Sequence, residues 1–79
     1  MDREEALKQV QDIFRDILDE EQLVLTDNTT AENVDGWDSL SHIQIVVAIE
    51  KHFKFRFTSK EILSWANVGE MMNCILSKT

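Results

Sequence analysis

The chain has 79 residues, of which 43% are apolar and 29% charged, so its composition predicts one globular domain spanning residues 1–79. Its 15 acidic and 8 basic residues give a net charge of −7, which argues against nucleic acid as a partner because phosphate binding requires a basic surface. No apolar run reaches the roughly 18 residues of a membrane span, and no signal-peptide core follows the charged start. We therefore expect a soluble, cytoplasmic monomer.

The first predicted element is an amphipathic helix over residues 3–19. Its apolar positions recur at three- and four-residue spacing: Leu7, Val10, Phe14 and Ile17. Residues 20–37 show no sustained periodicity and predict a long loop, which in a small domain usually has a function. We expect a short helical turn near Ala31 within it. Apolar loop residues are expected to hold the loop on the core: Leu23, Leu25, Val34 or Trp37.

The second predicted helix covers residues 39–53, with Asp38 as its N-cap. It is apolar over most of its circumference, so one side is expected to pack inward. The remaining apolar positions, near Leu40, Ile43 and Val47, are expected to stay partly exposed. An exposed apolar strip rimmed by polar groups is typical of a docking surface.

The last third of the chain predicts two more helices. Residues 54–57 form a short extended linker, and Thr58 with Glu61 fits a capping box that opens a short helix at 59–64. Asn67 is the expected cap of the final helix, whose apolar face begins at Val68. The predicted fold class is all-α: a four-helix bundle of three main helices and one short helix, with a long first loop.

Charge and cysteine usage limit the partners and cofactors. Residues 1–38 hold 12 acids and 3 bases, whereas residues 39–79 hold 3 acids and 5 bases, so a basic partner protein is the electrostatic match to the first half. The single cysteine, Cys74, can form neither an intrachain disulfide nor a cysteine-based zinc site. The two histidines and the scattered carboxylates show no ligand spacing, so we predict no metal site.

The most informative motif is Gly36-Trp37-Asp38-Ser39-Leu40. It places a serine hydroxyl after the long loop, in the first turn of the second helix. A helix N-terminus presents free backbone N–H groups and a partial positive charge, so a phosphoryl group on the Ser39 oxygen would lie there at low electrostatic cost. On spacing alone, the simpler explanation is that Asp38 and Ser39 are capping residues.

The whole pattern resembles the acyl carrier protein family. The resemblance covers nearly the full chain and includes its length, its acidity, the long first loop and the Asp38-Ser39-Leu40 sequence that opens the second helix. It continues through later segments of the chain: Ile43, Val47-Ala48-Ile49-Glu50, Phe53, Glu61-Ile62 and Val68-Gly69-Glu70-Met71.

This resemblance implies a carrier rather than an enzyme. Ser39 would be the attachment point of 4′-phosphopantetheine, which a separate phosphopantetheinyl transferase would donate from coenzyme A. The terminal thiol of that group would carry acyl intermediates as thioesters to acyl-loading and acyl-processing enzymes. By the same resemblance, Asp38 is the acidic neighbour of the serine, and Leu40 would lie beside the arm and contact the transferase.

The second helix departs from the common bacterial fatty-acid type, which usually carries several acids there. Glu50 is its one remaining acid, while Ser41, His42, Gln44 and Lys51 occupy other positions. A carrier dedicated to one specialised fatty-acid or polyketide-like pathway fits this pattern better. The residues expected to dock partner enzymes are the following: Asp35, Ile43, Gln44, Val47 and Glu50.

Three alternatives remain open from the sequence. The first is an aminoacyl or peptidyl carrier of the same fold, although Asp38 before the serine favours the acyl type. The second is a helical protein-interaction domain in which Ser39 is only a cap. The third is a small hydrolase that pairs Ser39 with His42, three residues later on the same helix face. The simplest expectation for His42 is a solvated surface histidine, with contact to a prosthetic phosphate as a second possibility.

Overall fold

Four α-helices form within residues 2–79, the part of the chain that the computed structural model describes. They are α1 (Arg3–Leu18), α2 (Ser39–Phe53), α3 (Ser59–Ser64) and α4 (Val68–Lys78). A 3₁₀ turn at Ala31–Asn33 interrupts the long first loop, as the sequence predicts. The predicted all-α fold class, with three longer helices and one short one, is confirmed.

Capping side chains set the start of each helix. Asp2 accepts a hydrogen bond from the Glu4 N–H and is the N-cap of α1. The α1 helix ends at Leu18, one residue short of the prediction, because Asp19 adopts a left-handed conformation with φ 54°. The predicted capping box of α3 and the predicted Asn67 cap of α4 are both present.

The core lies where α1, α2 and α4 meet, and the long loop closes one side of it. Its fully buried side chains come from all three helices: Ala6, Val10, Phe14, Ile45, Ile49, Val68, Met72 and Ile75. Removal of this apolar surface from water is the main source of folding free energy. Within residues 2–79, no helix combines the length and the apolar character needed to cross a bilayer.

Contacts in both halves of the long loop hold it on the domain. Its first half is tied to the start of α4, because the Val68 N–H donates to Thr29 O at 2.8 Å and the Gly69 N–H donates to Asp27 O at 2.9 Å. Its second half is held by the buried side chains of Val34 and Trp37. The loop therefore brings the residues before α2 to a fixed position on the core.

Candidate functional site

Ser39 is the first residue of α2, and its side chain is exposed. No hydrogen bond among the described residues uses its hydroxyl group. The preceding residue, Asp38, has extended backbone angles and caps the helix. The hydroxyl therefore projects from a helix N-terminus, where the partial positive charge favours an anion attached to it.

A second serine, Ser41, holds this helix start in place. Its N–H donates to Asp38 Oδ1 at 2.9 Å, and its Oγ accepts from the Asp38 N–H at 2.8 Å. The same hydroxyl donates to the Gly36 carbonyl at 2.6 Å, and the side chain is buried. Gly36 has φ +84°, a left-handed conformation that glycine adopts without steric cost. This role of Ser41 is not among the sequence predictions, although a Ser three residues after an Asp cap is the capping-box spacing.

Asp38 stays ionised at neutral pH. The backbone N–H of Ser41 donates to its carboxylate and lowers the pKa of Asp38 below the usual 3.8. The carboxylate is thus a fixed negative charge beside the Ser39 hydroxyl. The positive end of the α2 dipole stabilises this negative charge.

His42 is not the solvated surface histidine that the sequence predicts. Its ring is half-buried between two tryptophans, stacked on Trp37 at 6.0 Å and edge-to-face with Trp65 at 5.9 Å. The indole N–H of Trp37 donates to His42 Nδ1 at 3.1 Å. A neutral imidazole that accepts on Nδ1 carries its hydrogen on Nε2. Packing between the two tryptophan rings therefore explains the partial burial of His42.

This contact extends into a continuous wall of aromatic rings. Trp37 is buried and meets Phe14 edge-on at 4.8 Å, which anchors it in the core. Trp65 meets Phe57 edge-on at 4.8 Å on the other side. Such edge-to-face pairs stabilise the packed state beyond their buried area. The wall runs from the core, past His42, to the connection between α3 and α4.

A cavity of about 340 Å³ opens between this wall and Ser39. Four segments line it: the 3₁₀ turn at Ala31, the residues from Trp37 to His42 at the start of α2, the connection that contains Trp65 and Asn67, and Met71 of α4. Its volume is at the lower end of the range for ligand pockets, which is about 300–1,000 Å³. This cavity is not among the sequence predictions, because it depends on how the loop and α3 approach α2.

The expected docking residues divide into two groups. The apolar strip on α2 is exposed, with Leu40 at 70%, Ile43 at 55% and Val47 at 41% of their full accessible surface. Asp35 and Gln44 are also exposed. Glu50 differs, since it is half-buried and its Oε2 accepts from the Phe57 N–H at 2.8 Å. One carboxylate oxygen of Glu50 is therefore used to hold the linker after α2.

The described residues contain no group of three or more histidine, cysteine or carboxylate side chains that could hold a metal ion. Cys74 is half-buried and donates to Glu61 Oε2 at 3.5 Å. Burial, together with the Glu61 carboxylate, raises the pKa of the Cys74 thiol. The thiol form predominates at neutral pH, so Cys74 is not an activated nucleophile.

The surroundings of His42 do not support a hydrolase in which His42 activates Ser39 as a nucleophile. A serine nucleophile requires a base that a third group orients through its second ring nitrogen. Here Nδ1 of His42 accepts from an indole N–H, and no carboxylate among residues 2–79 hydrogen-bonds the ring. His42 is thus held as a packing and donor group rather than as part of a catalytic triad.

Comparisons with known proteins agree on one family. The family model described as "Phosphopantetheine attachment site" matches residues 8–75, a range that includes Ser39. A solution structure of holo acyl carrier protein from Geobacter metallireducens is 37% identical in sequence. It matches over 92% of this chain and 84% of its own length, with a TM-score of 0.86. Among curated proteins, none matches this chain.

Proposed function

Since this chain belongs to the acyl carrier protein family, the carriers of a covalently attached 4′-phosphopantetheine, we propose that Ser39 is the attachment residue. The observation that carries the proposal is the exposed Ser39 hydroxyl, without a hydrogen-bond partner among the described residues, at the N-terminus of α2. Its neighbour Ser41 is buried and uses its hydroxyl in the helix cap. Of the two serines at this helix start, Ser39 is therefore the accessible one.

The residues around Ser39 fit such a group. A phosphodiester on the Ser39 oxygen would lie at the positive end of a helix of 15 residues, the standard setting for a phosphate. The Asp38 carboxylate is the nearest acid in sequence, and its charge is already engaged by the Ser41 N–H. When bound, the group supplies a thiol that holds an acyl chain as a thioester.

The chain is a carrier and not an enzyme. Its own residues have two tasks: they present Ser39 and they contact the proteins that act on it. Presentation depends on the cap formed by Asp38 and Ser41, which fixes the first turn of α2. Contact depends on the surface next to that turn.

The proposed docking surface is the exposed strip of α2 that begins beside Ser39. Leu40, Ile43 and Val47 provide its apolar centre, and an exposed apolar strip of this kind marks an interaction site. We also assign Asp35 and Gln44 to this surface, since both are exposed polar residues. Glu50 contributes at the far end through the carboxylate oxygen that Phe57 does not use.

We assign this carrier to one specialised fatty-acid or polyketide-like pathway. The support is electrostatic, because α2 contains a single acidic residue, Glu50, and that residue is half-buried. A partner that recognises an acidic helix would find little charge along this one. Its enzymes are expected to rely on apolar contact with α2, and on the acidic first half of the chain for steering.

Peptide mapping tests the attachment residue. The protein is incubated with coenzyme A, Mg²⁺ and a broad-specificity phosphopantetheinyl transferase, and tandem mass spectrometry of its fragments locates the added mass. We expect the mass on Ser39. Its localisation on Ser41 or on any other residue would refute the assignment.

A charged substitution tests the docking surface. Ile43→Glu places a carboxylate in the middle of the apolar strip, so the rate of modification by the transferase should fall about 10-fold or more, the effect of about 1.4 kcal/mol. The matched control is Val24→Glu, which changes an apolar residue of 64% exposure in the first loop. Equal rates for the two variants would contradict the proposed surface.

A further inference from the structure

The far end of α2, away from Ser39, carries positive charge on an acidic protein. Residues 51–60 contain four bases and no acid, whereas the whole chain has a net charge of −7. Three of these bases, Lys51, Lys54 and Arg56, are exposed and lie in the last turn of α2 or just beyond it. These three residues are named the basic surface.

Backbone contacts of the linker after α2 keep the basic surface together. The Phe55 N–H donates to the Glu50 carbonyl at 3.2 Å, and the Phe57 N–H donates to Glu50 Oε2 at 2.8 Å. Arg56 lies between these two bonds, so the linker holds it beside the last turn of α2. The three bases therefore form one local surface, although Arg56 lies outside the helix.

The charges of the basic surface are not used within the domain. The two ion pairs found within residues 2–79 join Arg3 to Asp27 and Lys78 to Glu61. Neither pair includes a residue of the basic surface. The neighbouring acid, Glu50, is half-buried and has one oxygen engaged by the linker. An acidic partner would therefore meet these bases without first breaking an ion pair.

The basic surface continues the apolar strip along one face of α2. Successive exposed residues follow at intervals of three or four, which places them on the same side of a helix: Leu40, Ile43, Val47 and Lys51. From Leu40 to Lys51 this face is about 16 Å long. One protein partner can cover that length, since an interface of standard size buries about 800 Å² on each side.

We propose that the basic surface binds an acidic patch on an enzyme that acts on this carrier, while the apolar strip contacts the same enzyme. The docking groove of that enzyme is then apolar at the end near Ser39 and acidic at the other end. This order fixes the direction in which the enzyme lies along α2. The inference rests on the proposed function and adds the chemistry of the partner to it.

The acids of α1 favour a protein over an extended polyanion as the occupant. The two helices meet here, because His52 Nε2 and Gln9 Oε1 form a hydrogen bond of 2.6 Å. Two exposed acids, Glu5 and Asp12, lie about one turn before and after Gln9. A membrane or a nucleic acid presents negative charge over a wide area and would approach these acids as well. A protein can place its carboxylates opposite the basic surface alone.

A titration with a two-part peptide tests the proposal. The probe has three leucines followed by three glutamates, and its extended length of about 20 Å spans the face from Leu40 to Lys51. The control peptide alternates the same residues. In spectra of isotope-labelled, unmodified protein, the probe should shift amide signals around both Ile43 and Lys51, with a Kd about 5-fold or more below that of the control. Equal Kd values for the two peptides would overturn the proposal.

Charge reversals distinguish the basic surface from an effect of net charge. Lys51→Glu and Arg56→Glu should each raise the Kd of the probe by about 3-fold to 10-fold, because each removes an attraction and adds a repulsion. The matched control is Lys8→Glu, since Lys8 is an exposed base on α1 and its reversal changes the net charge equally. The same rise in all three variants would refute the basic surface as the binding site.

Other occupants are tested on the same unmodified protein. Vesicles of phosphatidylglycerol and a short DNA duplex should leave the signals of residues 51–56 unshifted, and sedimentation velocity should show a monomer. Binding of either polyanion at these residues would overturn the acidic protein partner in favour of that polyanion. Self-association that Lys51→Glu abolishes would overturn it in favour of a second copy of this chain.

The outcome is distinguishable from a failure of the proposed function. The peptide titrations do not require a modified Ser39, whereas the attachment residue is read from the added mass. Normal addition at Ser39 together with equal binding of the two peptides would refute this inference alone. Absence of the addition would refute the proposed function, and with it the class of enzyme assumed here as the partner.

Discussion

Ser41→Ala should destabilise the protein and leave its attachment residue intact. The change removes the hydroxyl that accepts from the Asp38 N–H at 2.8 Å and donates to the Gly36 carbonyl at 2.6 Å. Each such bond contributes about 0.5–1.5 kcal/mol. The better helix propensity of alanine returns about 0.5 kcal/mol. The free energy of unfolding should therefore fall by about 1–2 kcal/mol.

Ser39→Ala is the matched control for this change. It removes a hydroxyl two residues away that has no hydrogen-bond partner among the described residues, so stability should change by about 0.5 kcal/mol or less. Urea unfolding followed by circular dichroism gives both values. The Ser41→Ala melting temperature should fall by on the order of 10 °C. Equal stability of the two variants would refute the assignment of Ser41 to the helix cap.

Two further predictions concern the core and acid stability. Phe14→Ala should cost about 3–5 kcal/mol in guanidinium unfolding because Phe14 is fully buried, and a loss below about 1 kcal/mol would contradict the packing described. The N–H of Thr58 and then Lys78 lower the pKa of Glu61 from 4.5 to about 2, so its contribution to stability is present above pH 4.5 and is lost as pH falls toward 2. The urea midpoint of the wild type should fall across that range more steeply than that of Glu61→Gln. An equal fall of the two midpoints with pH would contradict a stabilising contribution from ionised Glu61.

Much of the fold could be predicted because its signals are local. Asp38, Thr58 and Asn67 each precede a helical pattern, and each caps a helix in the structure. The 3₁₀ turn near Ala31 was also predictable, within a loop that otherwise lacks periodicity. These features depend on residues within a few positions of one another, so a single sequence contains the information.

The surroundings of Ser39 could not be predicted in the same way. The environment of His42 depends on Trp37, which the loop carries to the core, and on Trp65, which arrives from beyond α3. A polar residue on a helix gives no local sign of such burial. The engagement of Glu50 by Phe57 likewise requires the chain to turn back at Lys54, with φ 62°. Both contacts follow from tertiary packing.

Intact mass after incubation with coenzyme A, Mg²⁺ and a broad-specificity phosphopantetheinyl transferase tests whether this protein carries the prosthetic group on Ser39. Wild type, Ser39→Ala and Ser41→Ala are compared, each shown beforehand to be folded and unmodified. We expect a gain of one phosphopantetheine by wild type and by Ser41→Ala, and none by Ser39→Ala. The same gain in Ser39→Ala, or no gain in wild type, would contradict it.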